Sequence, residues 1–173
     1  MKSLFLLFII LSIFLAARIE ADKRLIHRTC KKAEAYYTLC VKTIEADPRS
    51  KTADAAGLAV VVVDKVKSQV TETIGIVKEL MAITSDPVER QFLSGCVWRY
   101  NAVLNAILLG SIEAMKKGDY AFARDALKEA AFEVQTCEKS FAIVGSGQSP
   151  IAALNQVLND LSVMTATIID AII

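Results

Sequence analysis

Histidine is almost absent: His27 is the one histidine in 173 residues. Imidazole is the usual general acid or base near neutral pH, so the chain cannot build a histidine pair for catalysis or a two-histidine metal site. No G-x-S-x-G, P-loop or G-x-G-x-x-G occurs, which removes the signatures of nucleophile-elbow hydrolases, NTPases and dinucleotide binders. Net charge is equally scarce, +1 from 20 Lys and Arg against 19 Asp and Glu, and it offers nucleic acid no overall attraction. Proline and glycine number only 3 and 7, so the chain is punctuated at few places, and no N-x-S/T sequon marks a glycosylation site. Carboxylate pairs such as Glu72 with Glu79 and Glu129 with Glu133 are the remaining enzymatic material. They alternate with Lys65, Lys67, Lys78 and Lys128 as solvated helix faces do. The expectation is a protein that is not an enzyme and needs no metal or cofactor.

What is present begins at the N-terminus. Lys2, the apolar run Leu4 to Ala17 and small residues near a cut site are the three parts of a secretion signal. The run is about 14 residues, short of the roughly 20 that span a bilayer, and no second long apolar run follows. The sequence thus predicts a signal peptide over 1–21 with cleavage after Ala21, and a mature chain, 22–173, with no membrane segment, sent to the cell exterior or a vacuole. That mature chain carries 18 basic and 18 acidic residues. Its length, about 150 residues, suits one domain with a sizeable core.

Four segments, 52–84, 87–117, 120–143 and 150–172, carry apolar residues at helical spacing. In the first, Ala59, Val63, Val66, Val70, Ile74, Val77 and Met81 recur every three or four residues. The second repeats Phe92, Cys96, Tyr100, Val103 and Ile107, and the third Ala123, Leu127, Ala130, Val134, Cys137 and Phe141. The fourth repeats Leu154, Leu158, Leu161, Thr165, Ile168 and Ile172. Asp86-Pro87 with Glu89 reads as an N-cap, a first-turn proline and a capping box. Gly118-Asp119 reads as a C′ glycine followed by a new cap, and the Gly145 to Pro150 loop as the last turn. Short connections make successive helices antiparallel, so the predicted fold is all-α: an up-down-up-down four-helix bundle over 52–172. The charge-free stretch Ala102 to Ile112 reads as a helix central in that bundle, and Trp98 as packing beside Cys96.

Cys30, Cys40, Cys96 and Cys137 are an even set in an oxidising compartment, which predicts two disulfides. Counted from the Gly118 turn, Cys96 and Cys137 differ in height by roughly 4.5 Å at about 1.5 Å per residue, within disulfide reach. That leaves Cys30 with Cys40. In the chain-entropy picture the smaller loop stabilises by about 3 kcal/mol and the larger by about 4 kcal/mol. Residues 22–47 then form a disulfide-closed helical hairpin. Its Leu25, Ile26, Tyr36, Tyr37, Leu39, Val41 and Ile44 are too apolar for a free tail; docking on its own bundle is favoured, and a homodimer through the hairpin is also allowed.

The cysteine frame and its neighbours resemble a known family. Thr29-Cys30-Lys31-Lys32, Tyr37-Thr38-Leu39-Cys40 and Ala46-Asp47-Pro48-Arg49-Ser50 stand at its places along the chain. So do Lys117-Gly118-Asp119-Tyr120, Thr136-Cys137-Glu138 and Ser149-Pro150 with Ala153-Leu154-Asn155. The chain resembles the plant invertase and pectin methylesterase inhibitors. The resemblance implies a hairpin plus four-helix bundle, disulfides joining first to second and third to fourth cysteine, and a secreted inhibitor of the cell wall or vacuole. It also implies non-covalent occlusion of the active site of a pectin methylesterase or an acid invertase. The invertase branch carries Pro-Lys-Phe at the start of its third bundle helix; here Tyr120-Ala121-Phe122 follows Gly118-Asp119. Losing the lysine removes a positive charge suited to a carboxylate-lined site, which tilts the expectation to pectin methylesterase. Asp119, Tyr120 and Phe122 are the expected target contacts.

Overall fold

A computed structural model of the chain describes residues 23–143 and 149–172; the signal peptide read over 1–21 and the middle of the Gly145 to Pro150 loop lie outside them. Residues 23–31 form helix α1. The others are α2 Tyr37–Glu45, α3 Ala55–Ile83, α4 Pro87–Ala102, α5 Leu108–Lys116, α6 Tyr120–Ile143 and α7 Ala152–Asp170, with 3-10 turns at Glu34–Tyr36 and Pro48–Lys51. No strand occurs among the described residues. The Val60 to Val63 run has strand propensity, yet it lies within α3 because the helical apolar period continues through it.

The helix ends follow from their caps. Asp54 accepts from the Gly57 amide at 2.8 Å and starts α3 at Ala55, three residues after the start of the predicted segment 52–84. Asp86 accepts from Val88 at 2.8 Å, and Pro87 takes the first helical position of α4. The expected capping box does not close. The Glu89 carboxylate accepts instead from the Thr84 hydroxyl at 3.0 Å, and the Asp86 amide donates to that hydroxyl at 3.3 Å. Arg90 donates to the Met81 and Thr84 carbonyls, so the first turn of α4 satisfies the last carbonyls of α3.

Between α4 and α5 a π-turn, Val103–Ile107, inserts one residue. The helix buries Leu93, Cys96, Tyr100 and Val103, then steps by five to Leu108, Ser111 and Met115. A regular helix would have kept Ile107 inside, as the sequence spacing implied. The wider turn rotates Leu108 into the core and leaves Ile107 partly buried.

Facing pairs fix the helix directions. Cys96 meets Cys137, Arg99 meets Glu133 at 2.6 Å and Ser111 meets Ala123 at 3.4 Å, so α4–α5 and α6 run antiparallel. Arg124 with Asp170 at 2.9 Å and Gln135 with Asn159 at 2.8 Å do the same for α6 and α7. Contacts of α3 with α4 and with α7 close the ring. The hairpin lies against α3 and α7, and Ile26, Cys30, Ala33, Cys40 and Ile44 join the bundle core. Tyr36 faces Asp160 of α7, and burial followed by that carboxylate pushes its phenol above the usual range. Arg49 spans from Asp47, at 2.7 Å, to Asp64 of α3, at 2.6 Å. The hairpin therefore docks on its own bundle.

Among the described residues, buried side-chain polar groups are paired with one exception. Ser162 and Thr165 donate to carbonyls four residues back, at 2.8 and 2.6 Å. Beside the Cys96–Cys137 bridge the buried Tyr100 hydroxyl donates to Asn155 Oδ1, whose amide nitrogen donates to Glu138 at 2.7 Å. Burial, with the Glu138 carboxylate adding to it, raises the Tyr100 phenol far above its ordinary value. Thr73, fully buried on α3, has a hydroxyl without a partner.

Thr73→Val, which keeps the shape and removes the unpaired hydroxyl, should raise the free energy of urea unfolding by about 1 kcal/mol, whereas Tyr100→Phe, which orphans Asn155, should lower it by about 1–3 kcal/mol. Equal signs for the two variants would contradict this reading of the core.

Acid should loosen the hairpin. Hydrogen bonds from the Arg49 side chain and amide hold the Asp47 carboxyl below its ordinary 3.8. A depressed folded value contributes stability that is complete above the unfolded value and is lost as pH falls through the folded one. The urea midpoint should therefore not change on this account between about pH 5 and 7 and should fall below about pH 4, and Asp47→Asn should reduce that fall. An unchanged acid limb in Asp47→Asn would show that the tether plays no part.

Candidate functional site

The turn joining α5 to α6 is a rigid corner. Gly118 has φ of +78°, its amide donates to the Met115 carbonyl at 3.0 Å, and the Asp119 amide donates to the Ala114 carbonyl at 2.9 Å. This Schellman arrangement needs a left-handed residue, which favours glycine. Asp119 then turns round to cap α6, accepting from the Phe122 amide at 3.0 Å. Lys116 pairs with Glu113 at 2.8 Å, and its hydrogen bond holds that carboxyl below its usual range. The cations also sit where the C-terminal dipole of α5 favours them.

The three sequence-predicted residues are thus brought together, in different roles. Asp119 is spent on the cap. Tyr120 is half buried and packs against the core, while Ala121 is exposed. Phe122 is 56% exposed, and its ring edge lies 3.5 Å from the position a Cβ on Gly110 would take. The ring therefore lies against α5 at Gly110 and outside the core. Of the three, Phe122 alone leaves a large apolar side chain exposed.

Sequence reasoning missed the rest of this surface. Trp98, expected beside the disulfide, is 69% exposed, because Cys96 and Tyr100 occupy the inward positions of α4 and Trp98 points away from them. Leu109 and Phe132 are also exposed, at 45% and 59%. The continuous helical stretch Pro87–Lys116, which includes the charge-free residues Ala102 to Ile112, is apolar enough by length and composition to cross a membrane, yet only 28% of its most apolar window is buried. Cys96 and Tyr100 fix it in the bundle, so the exposed part is outer surface. Uncharged residues on an outward face were the available signal, and the hidden π-turn kept them from being placed.

No cluster of three metal-ligating side chains occurs among the described residues. His27 donates to, or accepts from, the Tyr37 hydroxyl at 2.8 Å on the hairpin, with no carboxylate beside it in that contact. Two hollows, of about 540 Å³ between α6 and α7 and about 620 Å³ between α2 and the bundle, are open surface clefts and not interior chambers. Among the described residues the region is an exposed apolar surface without a metal-type cluster.

Comparison with known proteins agrees with that limit. Residues 24–168 match the family profile described as Plant invertase/pectin methylesterase inhibitor. The chain is 32% identical over 148 residues to Cell wall / vacuolar inhibitor of fructosidase 1 of Arabidopsis thaliana, covering 86% of this chain and 69% of that protein. It is 28% identical over 155 residues to Pectinesterase inhibitor 28 of Oryza sativa subsp. japonica, covering 84% and 67%. The fold is that of a mutant form of a pectin methylesterase inhibitor from Arabidopsis, with a TM-score of 0.67 at 18% identity over 82% of this chain and 92% of that one. With the profile spanning nearly all of the described helices, the chain belongs to the plant invertase/pectin methylesterase inhibitor family, whose members are inhibitor proteins and not catalysts.

Proposed function

We propose that this chain, after removal of residues 1–21, is a secreted inhibitor of the plant cell wall that binds a pectin methylesterase and covers its substrate cleft without chemical change. The observation that carries the reading is the exposure of large apolar side chains on α4, α5 and α6, Trp98, Leu109 and Phe122, on a disulfide-clamped scaffold. Exposed aromatic side chains on a firm surface are the usual anchors of a protein interface. A preordered surface loses little conformational entropy on docking, so more of the contact energy appears as affinity. Blocking is steric: a wide bundle seated over a polymer-binding groove leaves no path for the polymer.

Acid invertase is the second reading, with a vacuolar location as its natural companion. It is favoured by the 32% identity to an Arabidopsis inhibitor of fructosidase. Against it stands Ala121, which puts a methyl group where the resemblance calls for lysine. A scaffold that no longer inhibits, or that carries an apolar ligand, would leave both enzymes fully active.

Titrating the refolded chain 22–173 against one pectin methylesterase and one acid invertase separates these readings. Saturable inhibition of the esterase with invertase unaffected is expected, and the reverse result would overturn the assignment. Tyr120→Pro with Ala121→Lys should gain potency towards invertase alone.

Trp98→Ala and Phe122→Ala should each weaken inhibition about tenfold or more, with the urea midpoint changed little because both side chains are largely exposed. Unchanged inhibition in both variants would move the contact surface away from this face.

A further inference from the structure

We propose that the outer face of α1 is a binding site for a linear acidic polysaccharide, and that it holds the inhibitor on pectin whose uronate methyl esters have already been hydrolysed. Lys23, Arg24, Arg28, Lys31 and Lys32 fall within eleven residues, 23–33, that contain no Asp or Glu. From Glu34 onward the chain has thirteen basic and seventeen acidic residues. Near-zero overall charge therefore hides a separation: a cationic arm on an anionic body.

Helical geometry turns the run into a surface. Positions 23, 27 and 31 form one row and 24 and 28 a second, with neighbours along each row about 6 Å apart, and Lys32 follows in the turn that ends the helix. Lys23, His27, Arg28, Lys31 and Lys32 are all exposed. Lys23, Arg28, Lys31 and Lys32 form no ion pair among the described residues. Like charges at a spacing of four repel, so the arm gains when a polyanion lies along it.

The opposite face of the same helix decides the partner class. Ile26 and Cys30 are buried in the core of the bundle, and Thr29 is buried beside them. An amphipathic helix that enters a membrane surface needs its apolar side free; here that side is already occupied, and the Cys30–Cys40 bridge ties it down. What remains is charge, together with Tyr37. That ring is 39% exposed and stacked beside His27, with centroids 6.2 Å apart. Cations flanking an exposed aromatic ring suit a chain of carboxylated sugars, which offers negative charge and C–H faces together.

Identifying the polymer as pectin rests on the pectin methylesterase reading; the acidic-polysaccharide site does not. Hydrolysis of a uronate methyl ester leaves a carboxylate, so the site favours the enzyme's product over its substrate. Inhibitor would then collect where the enzyme has already worked.

The test measures retention of the chain 22–173 on immobilised polygalacturonate and on highly methyl-esterified pectin. Anionic phospholipid vesicles and duplex DNA serve as comparison polyanions, and inhibition of the esterase is measured separately. Retention on polygalacturonate alone is expected, with release at about 0.5 M salt, where screening acts over roughly 4 Å. Lys23→Glu with Arg28→Glu and Lys31→Glu should weaken it about tenfold or more, with the helical circular dichroism and inhibition unchanged. The neutral set Lys23→Gln, Arg28→Gln and Lys31→Gln should fall between, which guards against misfolding of the reversed one. Equal retention of parent and variants, equal retention on the esterified polymer, or tighter binding to vesicles or DNA would overturn the site. Retention without inhibition of the esterase would keep the site and remove the enzyme assignment.

Discussion

Cys96 and Cys137 hold α4 against α6, with their Cα atoms 5.1 Å apart, and the exposed face of the middle helices depends on that seam. Around the bridge the interior is polar: Tyr100, Asn155 and Glu138 form one hydrogen-bonded chain across α4, α7 and α6. A buried phenol and amide are tolerated only when each finds its partner, and their geometry admits one register of the three helices. The opposite seam, between α3 and α7, is covered by the hairpin, which contributes Ile26, Cys30, Cys40 and Ile44 to the same core. One seam is clamped by sulfur and hydrogen bonds, the other is capped by a docked arm.

That division explains why so apolar a sequence leaves large side chains outside. A bundle that needed only to fold would place Trp98 and Phe122 inward or replace them with polar residues. Here Tyr100 and Cys96 occupy the interior of α4, and the Phe122 ring lies over α5 at Gly110. Burying such rings against another protein recovers stabilisation that folding does not use. Function as an inhibitor asks for this and for little else: a stiff surface, and no reactive groups.

Much of the fold was legible in the residues, because caps and periodicity agree locally. Asp86-Pro87 and Gly118-Asp119 marked helix ends where the structure has them, since an N-cap carboxylate and a left-handed glycine act within a few residues. Leu93 in place of Phe92, and Leu108 in place of Ile107, were not legible. A π-turn leaves no mark in the sequence, and it moves the later core position from Ile107 to Leu108; Leu93 lies before it and is not shifted by it. The site was legible only at its corner. Asp119 and Tyr120 serve mainly the fold, and Phe122 faces outward. Trp98 was misread because a tryptophan near a cysteine is usually core, and outward placement depends on a helix rotation that neighbouring residues alone do not reveal. The arm's charge was obscured by a balanced total.

Hydrogen exchange of the chain bound to its target enzyme tests the central claim most directly. The account predicts slowed exchange confined to the middle helices, centred on the stretches around Trp98, Leu109 and Gly118 to Phe122, with residues 23–45 unchanged between free and bound states. Slowing confined to residues 23–45, with the middle helices unaffected, would contradict it.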